Sequence, residues 1–201
     1  MDLFSSNTTP VALPLVGANA AYYPEFLPPN LAKRYFDSIL DKTPWRQDQI
    51  KVFGKEYAQP RLTALYGVNN KPYTYSGIQM NPIKFTPDLL EIKTRIETVV
   101  KIKFTTVLLN LYRDGSDSNG WHSDNEKELG TNPVIASLSL GATRRFRFRE
   151  IANHSNTYGM DLVAGSLLLM QGKTQHLWQH QIPKTKKQVG PRINLTFRVL
   201  N

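Results

Sequence analysis

Apolar residues recur at helical spacing in two segments of the first half of the chain. The first segment carries its stripe at Leu31, Tyr35, Phe36, Ile39 and Leu40. Asn30 can cap this segment, and Pro28-Pro29 prevents any upstream helix from running into it. The pattern therefore predicts a helix that Asn30 caps.

The second segment follows Thr86-Pro87, which places a capping hydroxyl before a proline at the first helical position. Glu91 and Arg95, like Glu97 and Lys101, are spaced as ion pairs one helical turn apart. The apolar stripe consists of Leu89, Ile92, Ile96, Val99 and Val100. These features predict a second amphipathic helix.

After Lys103 nearly every segment has the pattern expected of a strand. We predict seven strands, at 105–112, 134–140, 144–150, 157–163, 166–170, 176–182 and 192–200. Turn-forming residues separate several of them, at Asp114-Gly115, Gly141, Ala164-Gly165 and Gly190-Pro191. Seven short strands with such turns indicate a closed or sandwiched β-core.

The remaining segments show shorter patterns. Residues 45–81 contain short β-like runs interrupted by glycine and proline, which predict hairpins with exposed aromatic residues. We interpret about 50–80 as a lid. The first 20 residues show no period, and we expect a flexible N-terminal arm there. A single domain then extends over 21–201, with its β-core at about 104–201.

Composition narrows the class of protein. The 201 residues, 40% of them hydrophobic, fit one domain with a substantial core. No apolar run approaches the roughly 20 residues that span a bilayer, and the first residues lack the pattern of a signal peptide. We therefore expect a soluble, intracellular protein with no membrane partner. With no cysteine, the chain has no disulfide, thiolate metal site or cysteine nucleophile.

The net charge of +9 favours a polyanionic partner such as nucleic acid. Basic residues cluster on one face of a predicted strand and in one loop, at Arg145, Arg147 and Arg149 and at Lys184, Lys186 and Lys187. A solvated sheet face and a solvated loop explain the same two clusters. Charge alone therefore does not decide the partner.

The histidines suggest a metal site. His122 and Asp124, two residues apart after a polar turn, can combine with a distant second histidine into a facial two-His-one-carboxylate site for non-haem iron(II). His154 lies in a loop-like segment, where a solvated imidazole is the ordinary interpretation. His176 and His180 share strand parity. Geometry alone leaves both as candidates for the third ligand.

The last predicted strand alternates strictly between polar and apolar residues. One face carries Arg192, Asn194, Thr196 and Arg198, and the other carries Ile193, Leu195, Phe197 and Val199. Two arginines in a row of inward polar groups would suit a dicarboxylate, because a guanidinium can pair bidentately with each carboxylate.

Five stretches now identify a family: Asn110-Leu111-Tyr112, Trp121-His122-Ser123-Asp124-Asn125-Glu126, Leu138-Ser139-Leu140-Gly141-Ala142-Thr143-Arg144, Trp178-Gln179-His180-Gln181-Ile182-Pro183 and Pro191-Arg192-Ile193-Asn194-Leu195-Thr196-Phe197-Arg198. They resemble the AlkB family of iron(II)/2-oxoglutarate nucleic-acid dealkylases, and most of all its second and third animal homologues. The resemblance runs from about Pro60 to the C-terminus. Val52-Phe53-Gly54-Lys55 is also similar to the duplex-probing hairpin of the second homologue.

The resemblance implies a fold, cofactors and ligands. The implied fold is mainly β with flanking helices, a double-stranded β-helix (jelly roll) preceded by a nucleotide-recognition lid. The implied cofactor is Fe(II), with 2-oxoglutarate and O2 as cosubstrates. The resemblance assigns His122, Asp124 and His180 to iron, and leaves His176 outside. It assigns five residues to 2-oxoglutarate, namely Arg192, Arg198, Asn110, Tyr112 and Asn194.

The resemblance also implies substrate contacts. Tyr75 would stack on the flipped base opposite His122, with Tyr73, Ser76 and Arg61 as further contacts. Glu126 would face a ring made cationic by N-methylation. Phe53, between Lys51 and Lys55, would be an apolar wedge in duplex DNA. Cross-strand packing in a hairpin is the alternative explanation for these aromatic residues.

The implied function is oxidative demethylation of 1-methyladenine and 3-methylcytosine in DNA or RNA, with release of formaldehyde, succinate and CO2. We expect a monomer that acts in the cytoplasm, or in the nucleus of a eukaryote. Two rival functions differ in class: an oxygenase acting on a protein or small molecule, and a non-catalytic nucleic-acid-binding module. Every ligand position of the implied site is filled in this sequence, which favours catalysis.

Overall fold

The computed structural model describes residues 9–52, 55–69, 73–75 and 78–200. Its helices are α1 Pro29–Lys42, α2 Pro87–Val100 and the short α3 Thr174–Leu177, with a 3-10 turn at Lys127–Leu129. The strands are β1 Val11–Ala12, β2 Asn19–Tyr23, β3 Gln49–Val52, β4 Lys55–Ala58, β5 Leu62–Gly67, β6 Tyr73–Tyr75, β7 Ile78–Met80, β8 Ile83–Lys84, β9 Thr106–Tyr112, β10 Asn119–His122, β11 Ile135–Gly141, β12 Arg144–Glu150, β13 Thr157–Leu162, β14 Leu167–Gln171, β15 Trp178–Ile182 and β16 Arg192–Arg198.

The strands form two main sheets and two hairpins. The large sheet has the order β1-β2-β14-β11-β16-β9-β5-β8, and the small sheet has the order β10-β15-β12-β13. In the large sheet all pairs are antiparallel except β5 with β8. β3 pairs with β4 and β6 with β7, as separate two-stranded sheets. The fold is the predicted jelly roll of a mainly β domain.

Each face of the large sheet has its own core. The apolar residues of β16, Ile193, Leu195 and Phe197, pack in one cluster with α1 and α2 residues such as Tyr35 and Ile92. The second cluster joins the large sheet to the small one, for example Leu108 and Met170 with Phe148 and Trp178. Because strand side chains alternate between faces, the polar residues of β16 point into the space between the sheets.

The helix predictions are confirmed with two corrections. α2 begins as expected, with the Leu89 amide donating to the Thr86 hydroxyl at 3.3 Å and Pro87 in the first turn. Asn30 does not cap α1, because the helix already begins at Pro29. Glu97 does not pair with Lys101, whose backbone is left-handed at the helix end. Glu97 instead binds Lys93 and Lys103, at 2.7 and 3.0 Å.

All seven strands predicted after Lys103 agree with the structure to within two residues, and two other predictions are wrong. The described part of the arm is not loose, since β2 pairs with β14 and Leu13 and Leu15 are buried. β5 belongs to the large sheet through β9, not to a lid. Residues 174–177 form α3, so the strand predicted at 176–182 begins only at Trp178. None of the described helices is long and apolar enough to cross a membrane.

Candidate metal and cosubstrate site

Two strands of the small sheet carry the histidines of the site. β10 and β15 are antiparallel and place His122 directly opposite His180. A bulge in β10 puts three residue steps between Asn119 and His122 against two on β15, and such bulges re-aim side chains at functional sites. One ligand atom from each of His122, Asp124 and His180 lies within 4.8 Å of the others.

Hydrogen bonds fix the form of His122. The Gly120 carbonyl, 2.8 Å from His122 Nδ1, can only accept, so Nδ1 carries the proton. His122 Nε2 then keeps its lone pair, and Asn119 Nδ2 donates to it at 3.1 Å. Burial lowers the pKa of His122. The imidazole is therefore neutral near pH 7, the form that binds a metal.

His180 is buried and stacks on Phe146, with ring centroids 5.3 Å apart. Burial, and next the neighbouring His122, lower the pKa of His180 to about 3. His180 Nε2 lies 4.0 Å from Asp124 Oδ2. Because the imidazole is neutral, this contact is not an ion pair near pH 7, and it places two candidate ligand atoms side by side.

Asp124 is the anion of the site. Its carboxylate is buried, and Arg198 Nη2 donates to Oδ1 at 2.8 Å. Burial alone would raise the pKa of Asp124, but the positive charge of Arg198 and its hydrogen bond act in the opposite direction, and the pKa is lowered to about 2. Asp124 is consequently ionised at neutral pH, as a metal ligand must be.

A cavity between the sheets joins the ligand cluster to the polar face of β16. The large sheet contributes Asn110, Tyr112, Ser137, Arg192, Asn194, Thr196 and Arg198 to its lining. In register, Arg192 lies opposite Tyr112 and Asn194 opposite Asn110. All five residues assigned to 2-oxoglutarate by resemblance therefore line one cavity with His122, Asp124 and His180.

Arg192 is the cation at the far end of this cavity. It is buried, with Nη2 donating to Ser139 Oγ at 2.9 Å and the guanidinium 5.3 Å from the Tyr112 ring centroid. Burial lowers the pKa of Arg192 to about 10, which leaves it charged at neutral pH. Nε and Nη1 have no hydrogen-bond acceptor among the described residues. A buried guanidinium with two free donors fits a carboxylate.

The donor set also fits iron(II). Two neutral imidazoles and one carboxylate are the ligands of the facial triad, which leaves open positions for cosubstrates. Bound there, iron(II) would be held by His122, Asp124 and His180. Because His176 and His180 share strand parity, the sequence leaves His176 as an alternative third ligand. The structure places His176 exposed in α3 and His154 exposed in the turn before β13, so neither joins the cluster.

The predicted substrate contacts divide into three groups. Glu126 is partly buried at the start of the 3-10 turn, two residues beyond Asp124. Arg61 is buried, and its Nε donates at 2.8 Å to Oδ1 of Asn110, which lines the cavity. A direct contact between Arg61 and substrate stays a prediction.

The third group belongs to the hairpins. Tyr73 and Tyr75 are the ends of β6, and their side chains lie outside the described part of the chain. Phe53 and Ser76 lie outside the described residues altogether. Their roles stay predictions from the resemblance.

The structure adds residues that sequence reasoning missed. Ser137 and Ser139 support the polar side chains of β16, since Ser137 Oγ accepts from Asn194 Nδ2 at 2.7 Å and Ser139 Oγ accepts from Arg192. In β11 the two serines alternate with Ala136 and Leu138, and this alternation indicates in the sequence that both serines lie on the same face of the strand. Arg144 is buried and donates to three carbonyls, of Asp114, Asp117 and Pro183, at 2.8 to 2.9 Å. Arg144 thereby connects the loop that precedes β10 with the loop that follows β15.

Comparison with known proteins agrees with this geometry. A model of the 2OG-Fe(II) oxygenase superfamily matches residues 19–198. The mouse alpha-ketoglutarate-dependent dioxygenase alkB homolog 3 is 43% identical over 187 residues, which cover 89% of this chain and 65% of the mouse protein. The mouse DNA oxidative demethylase ALKBH2 is 38% identical over 175 residues, covering 82% of this chain and 69% of that protein.

A solved structure, that of OsALKBH1, superimposes with a TM-score of 0.67 at 15% identity, covering 95% of this chain and 100% of that one. At this identity the likeness supports the fold alone. The sequence matches are stronger, although the chain spans just under two thirds of alkB homolog 3. Together with the His-Asp-His cluster and the buried arginine, they show that the chain belongs to the 2OG-Fe(II) oxygenase superfamily and, within it, to the AlkB family.

Proposed function

We propose that this chain is an iron(II)- and 2-oxoglutarate-dependent dioxygenase that demethylates 1-methyladenine and 3-methylcytosine in DNA or RNA. One observation carries the chemistry: the cluster of His122, Asp124 and His180 shares a cavity with the buried guanidinium of Arg192. The relatives' names carry the substrate class, since ALKBH2 is a DNA oxidative demethylase.

Different residues that line the cavity have different roles in this reaction. When bound, iron(II) with 2-oxoglutarate and O2 supplies the oxidation of the N-methyl group, with formaldehyde, succinate and CO2 as products. His122, Asp124 and His180 offer the metal ligands, and Arg192 offers two donors to the distal carboxylate of 2-oxoglutarate. Phe146, Met170 and Ile182 give the cavity an apolar wall that limits water around the reacting groups.

Arg198 has a double role in this proposal. It holds Asp124 through a 2.8 Å bond, and it lines the same cavity as Arg192. A guanidinium can donate to two anions in its plane, which an ammonium on a flexible chain does less well. Arg198 would therefore orient the metal carboxylate and also contact 2-oxoglutarate.

Substrate recognition belongs to the same proposal. Tyr75 would stack on the flipped base, with Tyr73, Ser76 and Arg61 nearby, and Glu126 would face the cationic ring. Phe53 would enter duplex DNA as a wedge. We propose a monomer acting in the cytoplasm or nucleus, where alkylated nucleic acid occurs.

The test measures the release of formaldehyde from matched methylated single-stranded DNA, duplex DNA and RNA, with and without 2-oxoglutarate. We expect release that depends on 2-oxoglutarate and that is lost in Asp124→Asn. A parallel assay follows succinate formation with a methylated peptide of similar charge. Turnover of the peptide but of none of the oligonucleotides would replace nucleic acid by protein as the substrate.

A further inference from the structure

The three candidate ligands are held in different ways. His122 and His180 lie on paired strands, opposite each other in β10 and β15. Asp124 lies beyond the end of β10, in a segment without strand pairing. Its backbone needs another anchor, because a carboxylate only two torsions from the main chain moves with the main chain.

Gln175 supplies that anchor from a distant part of the chain. The Asp124 amide donates to Gln175 Oε1 at 2.9 Å, across 51 residues of sequence. Gln175 is itself 1% exposed, and its Nε2 faces the Met170 sulfur at 3.5 Å. Since a backbone N–H only donates, this contact fixes which end of the side-chain amide faces Asp124. A second bond, from Ser123 Oγ to the Trp178 carbonyl at 3.2 Å, tethers the same segment.

The turn of α3 makes this contact possible. α3 interrupts the path between β14 and β15, and it buries Thr174 and Gln175 while His176 is exposed. Thr174 Oγ1 donates to the Gln171 carbonyl at 2.6 Å and also accepts from the Asn19 amide at 3.0 Å, which holds the turn in place. The turn that carries Gln175 is thus anchored to the end of β14 and to the start of β2.

We propose that Gln175 is a positioning residue for the metal site, which sets the carboxylate of Asp124 against the two histidines through its backbone amide. Residues that orient metal ligands change metal affinity by about 10- to 100-fold when they are replaced. The inference concerns metal binding by this chain and does not depend on the proposed nucleic-acid substrate.

The test compares two replacements at Gln175. Gln175→Met keeps the length of the side chain and removes the acceptor, whereas Gln175→Glu keeps an oxygen at the same reach. The readout is the affinity of the metal-free protein for Mn(II), measured by titration, together with the thermal midpoint without metal. We expect Mn(II) affinity to fall at least about tenfold in Gln175→Met and to remain within about threefold of the parent in Gln175→Glu.

The control is His176→Ala, at the exposed neighbouring position, which should leave Mn(II) affinity unchanged. A Gln175→Met protein that binds Mn(II) like the parent would overturn the proposal, even with a lowered thermal midpoint, because only a packing role would then remain. Equal loss of affinity in the Met and Glu variants would also overturn it. If Gln175→Met does not fold, Gln175→Asn takes its place, since a side chain one methylene shorter cannot reach the Asp124 amide.

Discussion

The polar row of β16 and the hairpins β3–β4 and β6–β7 are held in different ways. β16 lies between β9 and β11 in the large sheet, and all seven of its residues are buried. Among the described residues, each hairpin forms a sheet of two strands alone, and β4 is exposed along its whole length. Two-stranded hairpins are marginally stable by themselves, whereas a central strand is fixed on both sides.

This difference separates the two tasks of the proposed enzyme. Groups that must hold a metal and a small dicarboxylate at fixed distances belong on rigid elements. Groups that meet a large and variable partner belong on segments that can adjust. We therefore expect changes in the cavity to act on metal or 2-oxoglutarate, and changes in the hairpins to act on nucleic acid alone.

The largest effect is expected from the ligand cluster. Asp124→Asn removes the anion, and His180→Ala removes an imidazole, so each should reduce turnover by on the order of a hundredfold or more and weaken Mn(II) binding. His176→Ala, with its exposed side chain, is the matched control and should retain activity. Loss of metal binding in His176→Ala but not in His180→Ala would refute the ligand assignment.

The next effect concerns the arginines. Arg192→Lys keeps a positive charge and removes the fork that fits a carboxylate, so the KM for 2-oxoglutarate should rise about tenfold with oligonucleotide affinity unchanged. Arg198→Lys should raise the same KM and also weaken Mn(II) binding, because Arg198 bonds Asp124. Arg145→Lys, on the exposed face of the small sheet, is the control. Equal loss of 2-oxoglutarate and oligonucleotide affinity in Arg192→Lys would place Arg192 on the nucleic-acid surface.

A smaller effect is expected in the hairpin β6–β7. Stacking of a base on an aromatic ring contributes about 1–3 kcal/mol, so Tyr75→Ala should reduce kcat/KM about tenfold on single-stranded and duplex substrates alike. Succinate formation without nucleic acid should not change. Tyr57→Ala, an exposed tyrosine of the other hairpin, should have less effect. If Tyr75→Ala changed the KM for 2-oxoglutarate, the expectation that hairpin residues act on nucleic acid alone would be wrong.

The smallest effect is specific to duplex DNA. Extruding a paired base costs a few kcal/mol, and an apolar wedge can occupy the gap that the base leaves. Phe53→Ala should therefore reduce demethylation of duplex DNA several-fold more than that of the same strand alone. The measurement is the ratio of the two rates in parent and variant. An unchanged ratio would make Phe53 a structural residue of its hairpin.

Local chemistry explains which parts of the fold were predictable. The start of α2 follows from a capping hydroxyl and a proline, and the seven predicted strands follow from short apolar or alternating runs bounded by turn residues, which are properties of neighbouring residues. The pairing of β2 with β14 joins residues about 150 positions apart. A short and irregular N-terminal sequence carries no local sign of such a partner, so the arm was predicted as loose.

For the site, the sequence by itself determined the chemical groups: a histidine and a carboxylate two residues apart, and a strand with two arginines on its polar face. Tertiary structure decided how these groups meet. The register of β10 against β15 places His180 opposite His122. In α3 the side chain of His176 is exposed, whereas Gln175 is buried and accepts from the Asp124 amide. The bond from Arg198 to Asp124 joins residues 74 positions apart. Such contacts depend on which distant strands pair and on how the two sheets pack, and the local periodicity of a segment does not specify its partner.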